Sequence, residues 1–394
     1  MTQFLTRGMA KAADLTRSGK LYEATVLIQS LLHRPGPEAN LPAAQLANTG
    51  SVIDGDFTRL EPEATSPKAA TPKAKPERAT PRVPTTPQAE KLRKIAAGGM
   101  PMHGPLSGQA EPLPDGAQFL SLTYRAPQGS RSYRLYIPAN RPATQMPLII
   151  MLHGCTQTPE DFAAGTGMNA VAEETGCLIA YPAQPTGANA QKCWNWYRPE
   201  DQARDRGEPA LIAGLTRTIW SDHNADPART YIAGLSAGGA AAVVMAHAYP
   251  DIFSAVGVHS GLPAGGAQDI PQAFAAMRSG SKGKPYQTVV PTIVFHGLAD
   301  CTVHPDNGAA VMTQALNAMP GLRATARHGV ADGGLRYRIT AHNHADGRSL
   351  AEHWQIESAG HAWAGGHSTG SYTDPNGPDA SRQMVRFFLQ HRHA

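Results

Sequence analysis

The chain has 394 residues, 41% of them hydrophobic, and a formal net charge of +4 at neutral pH. That length fits one large α/β domain with extensions or two average domains, and so mild a charge sets nucleic acid aside as the leading partner. Four cysteines (Cys155, Cys177, Cys193, Cys301) with no C-x-x-C pair make neither a disulfide scaffold nor a zinc motif, and no run of about eighteen apolar residues is present to span a membrane.

The opening MTQFLTRGMAKAADLTRSGK has no continuous apolar stretch of the kind a secretory signal carries, so the expected compartment is the cytoplasm. Leu15, Leu21, Ala24, Leu27, Ile28, Leu31 and Leu32 recur near helical spacing and predict an amphipathic helix within residues 1–34. Residues 35–114 are rich in Pro, Ala, Thr and Lys with few large apolar side chains. Such a stretch cannot bury enough surface to offset its ordering entropy and is expected to be a disordered linker. Its Lys68, Lys73, Lys75, Arg78 and Arg82 suit a solvated segment better than a dedicated anionic contact.

From Asp115 to Ala394 strand and helix signals alternate, which predicts a mostly parallel, doubly wound α/β sheet. Phe119–Tyr124 and Tyr133–Ile137 are expected as outer antiparallel strands and Leu148–Leu152 as a buried one. A helix over Phe162–Thr175, a strand over Leu178–Tyr181 and a helix over Pro209–His223 follow. Next come the strand Thr230–Ala233, a helix after Ser236, and the strands Ala255–His259 and Thr292–Phe295. Arg336–Thr340 and His353–Glu357 alternate as strands, and Asp379–His391 closes as an amphipathic helix.

Gly234-Leu235-Ser236-Ala237-Gly238 lies between a predicted strand and a predicted helix. A serine there sits on a sharp turn where larger flanking residues would clash, the arrangement of a nucleophile elbow. In a chain with 39 glycines the pentapeptide alone is a weak signal, so its context decides. Acyl transfer also needs a base, an acid to orient it and backbone donors for the oxyanion, all at the carboxyl ends of parallel strands. After LIIML comes His153-Gly154-Cys155, where the N–H of Cys155 can face the site together with that of Ala237. After TIVF comes His296-Gly297-Leu298-Ala299-Asp300; Asp306 is its rival but begins a helix-like run. After HWQIES comes Ala359-Gly360-His361. His342, His344, His353 and His367 compete with it and are expected at the surface. No H-E-x-x-H or equivalent metal set is present, and no cofactor is required. The order Ser236, Asp300, His361 is that of an α/β-hydrolase triad.

HGCTQTPEDFAAGTGMN, YPAQ, CWNWYRPEDQARDRGEPALI, GLSAGGAAA, HSGLP, HGLADCTVHP and GHAWAGG together resemble the polyhydroxybutyrate (PHB) depolymerase-type esterases, from about Gln118 to Ala394. That family includes polyhydroxyalkanoate depolymerases, feruloyl esterases and acetylxylan esterases. The resemblance implies an α/β-hydrolase fold with Ser236 as nucleophile, Asp300 and His361 as its partners, and Cys155 and Ala237 as oxyanion donors. It implies a polyhydroxyalkanoate or its short oligoesters as substrate, with a feruloyl or acetyl ester of plant polysaccharide as the alternative. Many secreted relatives carry a signal peptide and a polymer-binding domain that are not evident here, which leaves the extracellular location of those relatives as the alternative to the cytoplasm.

Trp194, Asn195 and Trp196 in CWNWY, with Trp363 after His361, are the candidate substrate contacts, as an apolar groove for an acyl chain or aromatic acid. Core packing of a loop explains the tryptophans of CWNWY equally well. Whether Cys155 and Cys193 come close enough for a disulfide is open on the sequence alone, and a cytoplasmic location argues against one. A reading of another class makes the protein a tether, its amphipathic helix and basic linker holding an idle hydrolase domain on a granule or other surface.

Overall fold

Apolar five- to seven-residue runs with alternating sides build the centre of the molecule. In the computed structural model, residues 113–286 and 288–394 are described. The expected helix in 1–34 and nearly all of the expected linker lie outside them.

The strands are β1 (Gln118–Ala126), β2 (Gly129–Ile137), β3 (Met146–Leu152), β4 (Leu178–Pro182), β5 (Ala225–Leu235), β6 (Ala255–His259), β7 (Thr292–Gly297), β8 (Arg323–Val330), β9 (Arg336–Asn343) and β10 (Ser349–Ile356). They form one ten-stranded sheet in the order β1-β2-β4-β3-β5-β6-β7-β10-β9-β8. The centre, β4 through β10, is parallel. The flanks β1-β2 and β9-β8 are antiparallel. A second, two-stranded sheet pairs β11 (Trp363–Ala364) with β12 (Thr373–Asp374).

Every residue of β3, β4, β6 and β7 is buried, as parallel strands covered on both faces require. Leu148, Ile150 and Leu152 enter one core, packed with residues of α3 (Gly207–Asp222), α4 (Ala237–Ala248), α5 (Ile270–Ser279) and α6 (Asp306–Asn317). Ile149 and Met151 enter the other, with α1 (Pro159–Thr166), α2 (Met168–Thr175) and α7 (Ala380–Phe388). The two-residue period of a strand thus feeds two cores on opposite faces of one sheet.

Several elements differ from expectation. The helix expected over Phe162–Thr175 is two, because Gly167 between them takes a left-handed φ of 62° that ends α1. The edge strand β8, RATARHGV, and helix α5 were not anticipated. His353, expected at the surface, is buried in mid-strand, while His344 and His367 are exposed. Among the described residues no helix is long and apolar enough to cross a membrane.

Candidate active site

β5 ends at Leu235 and α4 begins at Ala237, so Ser236 alone makes the turn. Its φ of 58° and ψ of −120° are strained for a residue with a side chain. The strain is held from both sides: Ser236 N–H donates to His259 O (2.9 Å) and Ser236 O accepts from Ala240 N–H (2.9 Å). A Cβ on Gly238 would lie 2.0 Å from Leu152 O, and one on Gly234 would lie 2.4 Å from Gly238 C, so both positions exclude any larger residue. Ser236 itself is 8% exposed, at the carboxyl end of the sheet.

Asp300 and His361 follow β7 and β10, which are adjacent to each other and separated from β5 by β6. Asp300 follows β7 on a loop where its Oδ1 accepts from the N–H groups of Thr302 (2.9 Å) and Val303 (2.8 Å). Its Oδ2 accepts from His361 Nδ1 at 2.7 Å. The loops are held together by Leu298 N–H to Ile356 O (2.9 Å) and Ala299 N–H to Ala359 O (3.0 Å). Burial would push the Asp300 carboxyl up, but the neighbouring His296 and His361 rings and the Val303 N–H outweigh it and hold the group well below the usual carboxylate range. An ionised Asp300 keeps the His361 proton on Nδ1 and leaves Nε2 with a free lone pair, the form a general base needs.

His296 was not singled out from the sequence. Its Nε2 donates to Val303 O (2.8 Å) and lies 3.5 Å from Asp300 Oδ2. The signal that marks it is its place: a histidine next to last in an otherwise apolar buried strand has to face something polar.

Hydrogen bonds pin the loop after β3 on both sides of Cys155. Gln184 N–H donates to His153 Nε2 (3.1 Å), so Nδ1 carries the proton that it gives to Gly154 O (2.8 Å). Burial pushes His153 down to about 4, in keeping with this neutral form. Gly154 N–H donates to Gln157 Oε1 (2.9 Å) and Thr156 N–H to Gln191 O (2.7 Å). Between them, no carbonyl among the described residues accepts from Cys155 N–H, nor from Ala237 N–H in the first turn of α4. Cys155 and Cys193 form a disulfide, against the expectation drawn from a reducing compartment. The bond ties the Cys155 loop to the CWNWY segment.

The four expected substrate contacts lie inside. Trp194, Asn195, Trp196 and Trp363 are all 5% exposed or less. Trp194 Nε1 donates to His153 O (3.1 Å), and the ring lies under the Arg131 guanidinium. Asn195 donates twice to buried Glu208, from its backbone N (2.8 Å) and its Nδ2 (2.8 Å). Trp363 Nε1 donates to Ser381 Oγ (3.0 Å), with Phe162 edge-on to the ring at 5.5 Å. These buried side chains anchor loops rather than line a groove, with Trp194 Nε1, Asn195 and Trp363 Nε1 each bonded in the interior. Sequence reasoning missed two exposed apolar residues near the site, one on the Asp300 loop and one before β12. Leu298 (47% exposed) stands two residues before Asp300, and Tyr372 (45%) has its hydroxyl 3.3 Å from Thr156 Oγ1, beside Cys155. Among the described residues no group of three His, Cys, Asp or Glu side chains is placed to hold a metal ion.

Comparison with known proteins adds to this geometry. The family model described as "Esterase PHB depolymerase" matches residues 131–330. Poly(3-hydroxyalkanoate) depolymerase C of Paucimonas lemoignei is 32% identical over 240 residues, covering 57% of this chain and 57% of that protein. Feruloyl esterase B of Neurospora crassa is 29% identical over 215 residues, covering 49% of this chain and 71% of that protein. The chain thus spans little more than half the length of the depolymerase. Among solved structures, acetyl xylan esterase from Aspergillus awamori superposes with a TM-score of 0.53 at 19% identity, covering 70% of this chain and 99% of that one. At that identity the likeness bears on the fold, which is that of the α/β-hydrolases.

Proposed function

The chain belongs to the PHB depolymerase-type esterase family, and from that premise we propose that it is a serine carboxylic ester hydrolase acting on poly(3-hydroxyalkanoate) or its short oligoesters. The observation that carries the reading is the buried Asp300 carboxylate accepting from His361 Nδ1 at 2.7 Å, past the carboxyl ends of β7 and β10, the same end of the parallel sheet at which β5 gives way to the strained Ser236 turn.

In the scheme, Ser236 Oγ attacks the ester carbonyl carbon while His361 Nε2 takes the hydroxyl proton. Asp300 stays ionised and stabilises the imidazolium. The carbonyl oxygen becomes an oxyanion between the Cys155 and Ala237 N–H groups, whose freedom from carbonyl partners suits them to that role. Collapse of the tetrahedral intermediate breaks the ester C–O bond, and the imidazolium gives its proton to the departing alcohol. Water, deprotonated by the same Nε2, then attacks the acyl-enzyme, releases the acid and restores Ser236. No cofactor enters. Leu298 and Tyr372 take the place of the buried tryptophans as the apolar contacts for the acyl chain.

We assign the reaction to a catalytic domain of residues 115–394, with residues 1–34 as a surface tether and 35–114 as a linker. The Cys155–Cys193 bond favours an oxidising compartment over the cytoplasm, since reducing compartments keep such thiols free. A feruloyl ester is the second reading, favoured by the larger share of the feruloyl esterase that this chain covers.

A substrate panel tests the proposal: hydroxybutyrate oligomers, amorphous polymer, methyl ferulate and acetylated xylan, each compared by kcat/KM. The oligomers should be turned over fastest. Preference for methyl ferulate or acetylated xylan would overturn the substrate, and inertness toward every ester would overturn the hydrolase and leave the tether reading.

A further inference from the structure

His259, the last residue of β6, takes no part in the scheme above, yet it bonds both to Ser236 and to the strand that follows His361. In the parallel register it lies between Leu235 of β5 and Phe295 of β7. Its carbonyl accepts from Ser236 N–H at 2.9 Å. Its ring accepts too: Ala364 N–H donates to Nε2 at 3.0 Å. Ala364 is three residues past His361, on β11, at the far side of the loop that carries the histidine. The ring is buried between Phe295 (centroids 5.8 Å, 11° between planes) and Trp363 (5.2 Å, 27°). Since Nε2 accepts a backbone N–H, the proton sits on Nδ1, which faces Ser260 Oγ at 3.2 Å. A flat ring with an acceptor at its tip meets both demands of this slot. It fills the gap between two aromatic planes and satisfies a buried N–H that would otherwise lose its hydrogen bond.

We propose that His259 is a positioning residue for ester hydrolysis: one side chain and its own carbonyl set the His361 loop against the Ser236 turn. The inference rests on the hydrolase reading. The charged and titratable groups around it are His296 on β7, Asp300 and His361, none of which donates to its ring. Displacing a reacting group by about 1 Å can lower a rate on the order of 10²-fold, so the acceptor at Nε2 acts on turnover rather than on substrate affinity.

Two variants and one spectrum test this in the full chain. His259→Gln places an oxygen near the Nε2 position; His259→Asn is one methylene too short to reach Ala364. With a soluble p-nitrophenyl ester, the Gln variant should keep kcat within about threefold, and the Asn variant should lose on the order of 10²-fold in kcat with KM unchanged. Equal kcat for the two variants, or losses confined to KM, would overturn the proposal. Long-range 1H–15N spectra of the unsubstituted protein give a readout that needs no variant to fold. The His259 ring should carry its proton on Nδ1, and a proton on Nε2 would overturn the bond to Ala364. Absence of ester turnover in the unsubstituted protein would instead overturn the hydrolase reading, and the spectrum would still decide the bond.

Discussion

Asp300 accepts from His361 through one oxygen and from the N–H groups of Thr302 and Val303 through the other. An asparagine at 300 can keep its oxygen on those two N–H groups, but it then presents an NH2 to His361. The imidazole would have to accept at Nδ1 and carry its proton on Nε2, where it cannot act as a base. Asp300→Asn should therefore fold normally and lose about 10⁴-fold in kcat at neutral pH. Measured kcat within tenfold of the parent would mean that Asp300 does not orient the base.

The turn at Ser236 predicts opposite effects on activity and stability. Ser236→Ala keeps the backbone conformation and removes the nucleophile, so turnover should fall by about 10⁵- to 10⁶-fold with little change in melting temperature. Ser236→Gly should be equally inactive but melt higher than the alanine variant. Glycine adopts a φ of 58° without the strain, on the order of 1 kcal/mol, that a side chain imposes there. A glycine variant melting below the alanine variant would contradict the strain argument.

Stability should fall on mild acidification, well before the carboxylates titrate. Burial pushes His153, His353 and His391 down to about 4 and His259 to about 3. Unfolded, each would titrate near pH 6.5. Between these values the unfolded chain binds more protons than the folded one. The stabilisation is therefore complete above about pH 6.5 and is lost progressively as pH falls toward 4. Asp300 works in a different window. Its lowered value keeps its contribution intact above the unfolded carboxylate range near 4, with loss only below it. Melting temperatures between pH 8 and pH 4.5 should decline from about 6.5 downward. A level profile to pH 5 would show that these histidines are not buried neutral.

Thiol titration tests the cysteine pairing. The native protein should present one reactive thiol, exposed Cys301, and the denatured protein a second, Cys177. Cys155 and Cys193 should appear only after reduction. The bond closes a separation of 38 residues, so Cys193→Ser should destabilise the fold by about 3–4 kcal/mol by the chain-entropy account. Four thiols without reductant would contradict the bond and return the protein to a reducing compartment.

Much of this was legible in the chain because the informative residues are those that strands force into view. The apolar runs at the heart of β3 and β7 read as doubly covered strands, and Ser236, Asp300 and His361 stand at or just past strand ends where polar groups have to surface. Edge strand β8 was hidden for the opposite reason. RATARHGV buries almost nothing and is a strand only through its pairing with β9, a contact that no local pattern encodes. The tryptophans misled because residue type does not tell what covers a ring; Glu208, which holds Asn195, is 13 residues away, and Ser381, which holds Trp363, is 18 away. His259 and His296 lay unnoticed inside strands that were otherwise correctly placed.

Covalent labelling tests the central claim, that Ser236 is the nucleophile of an ester hydrolase, most directly. The full chain would be incubated with a p-nitrophenyl phosphonate, the released p-nitrophenol counted against protein, and the adduct located by peptide mass spectrometry. The account predicts loss of p-nitrophenyl butyrate hydrolysis in step with one equivalent of label, carried on the peptide containing Ser236, and no label on Ser236→Ala. Label on another residue, or full esterase activity in a protein stoichiometrically modified at Ser236, would contradict it.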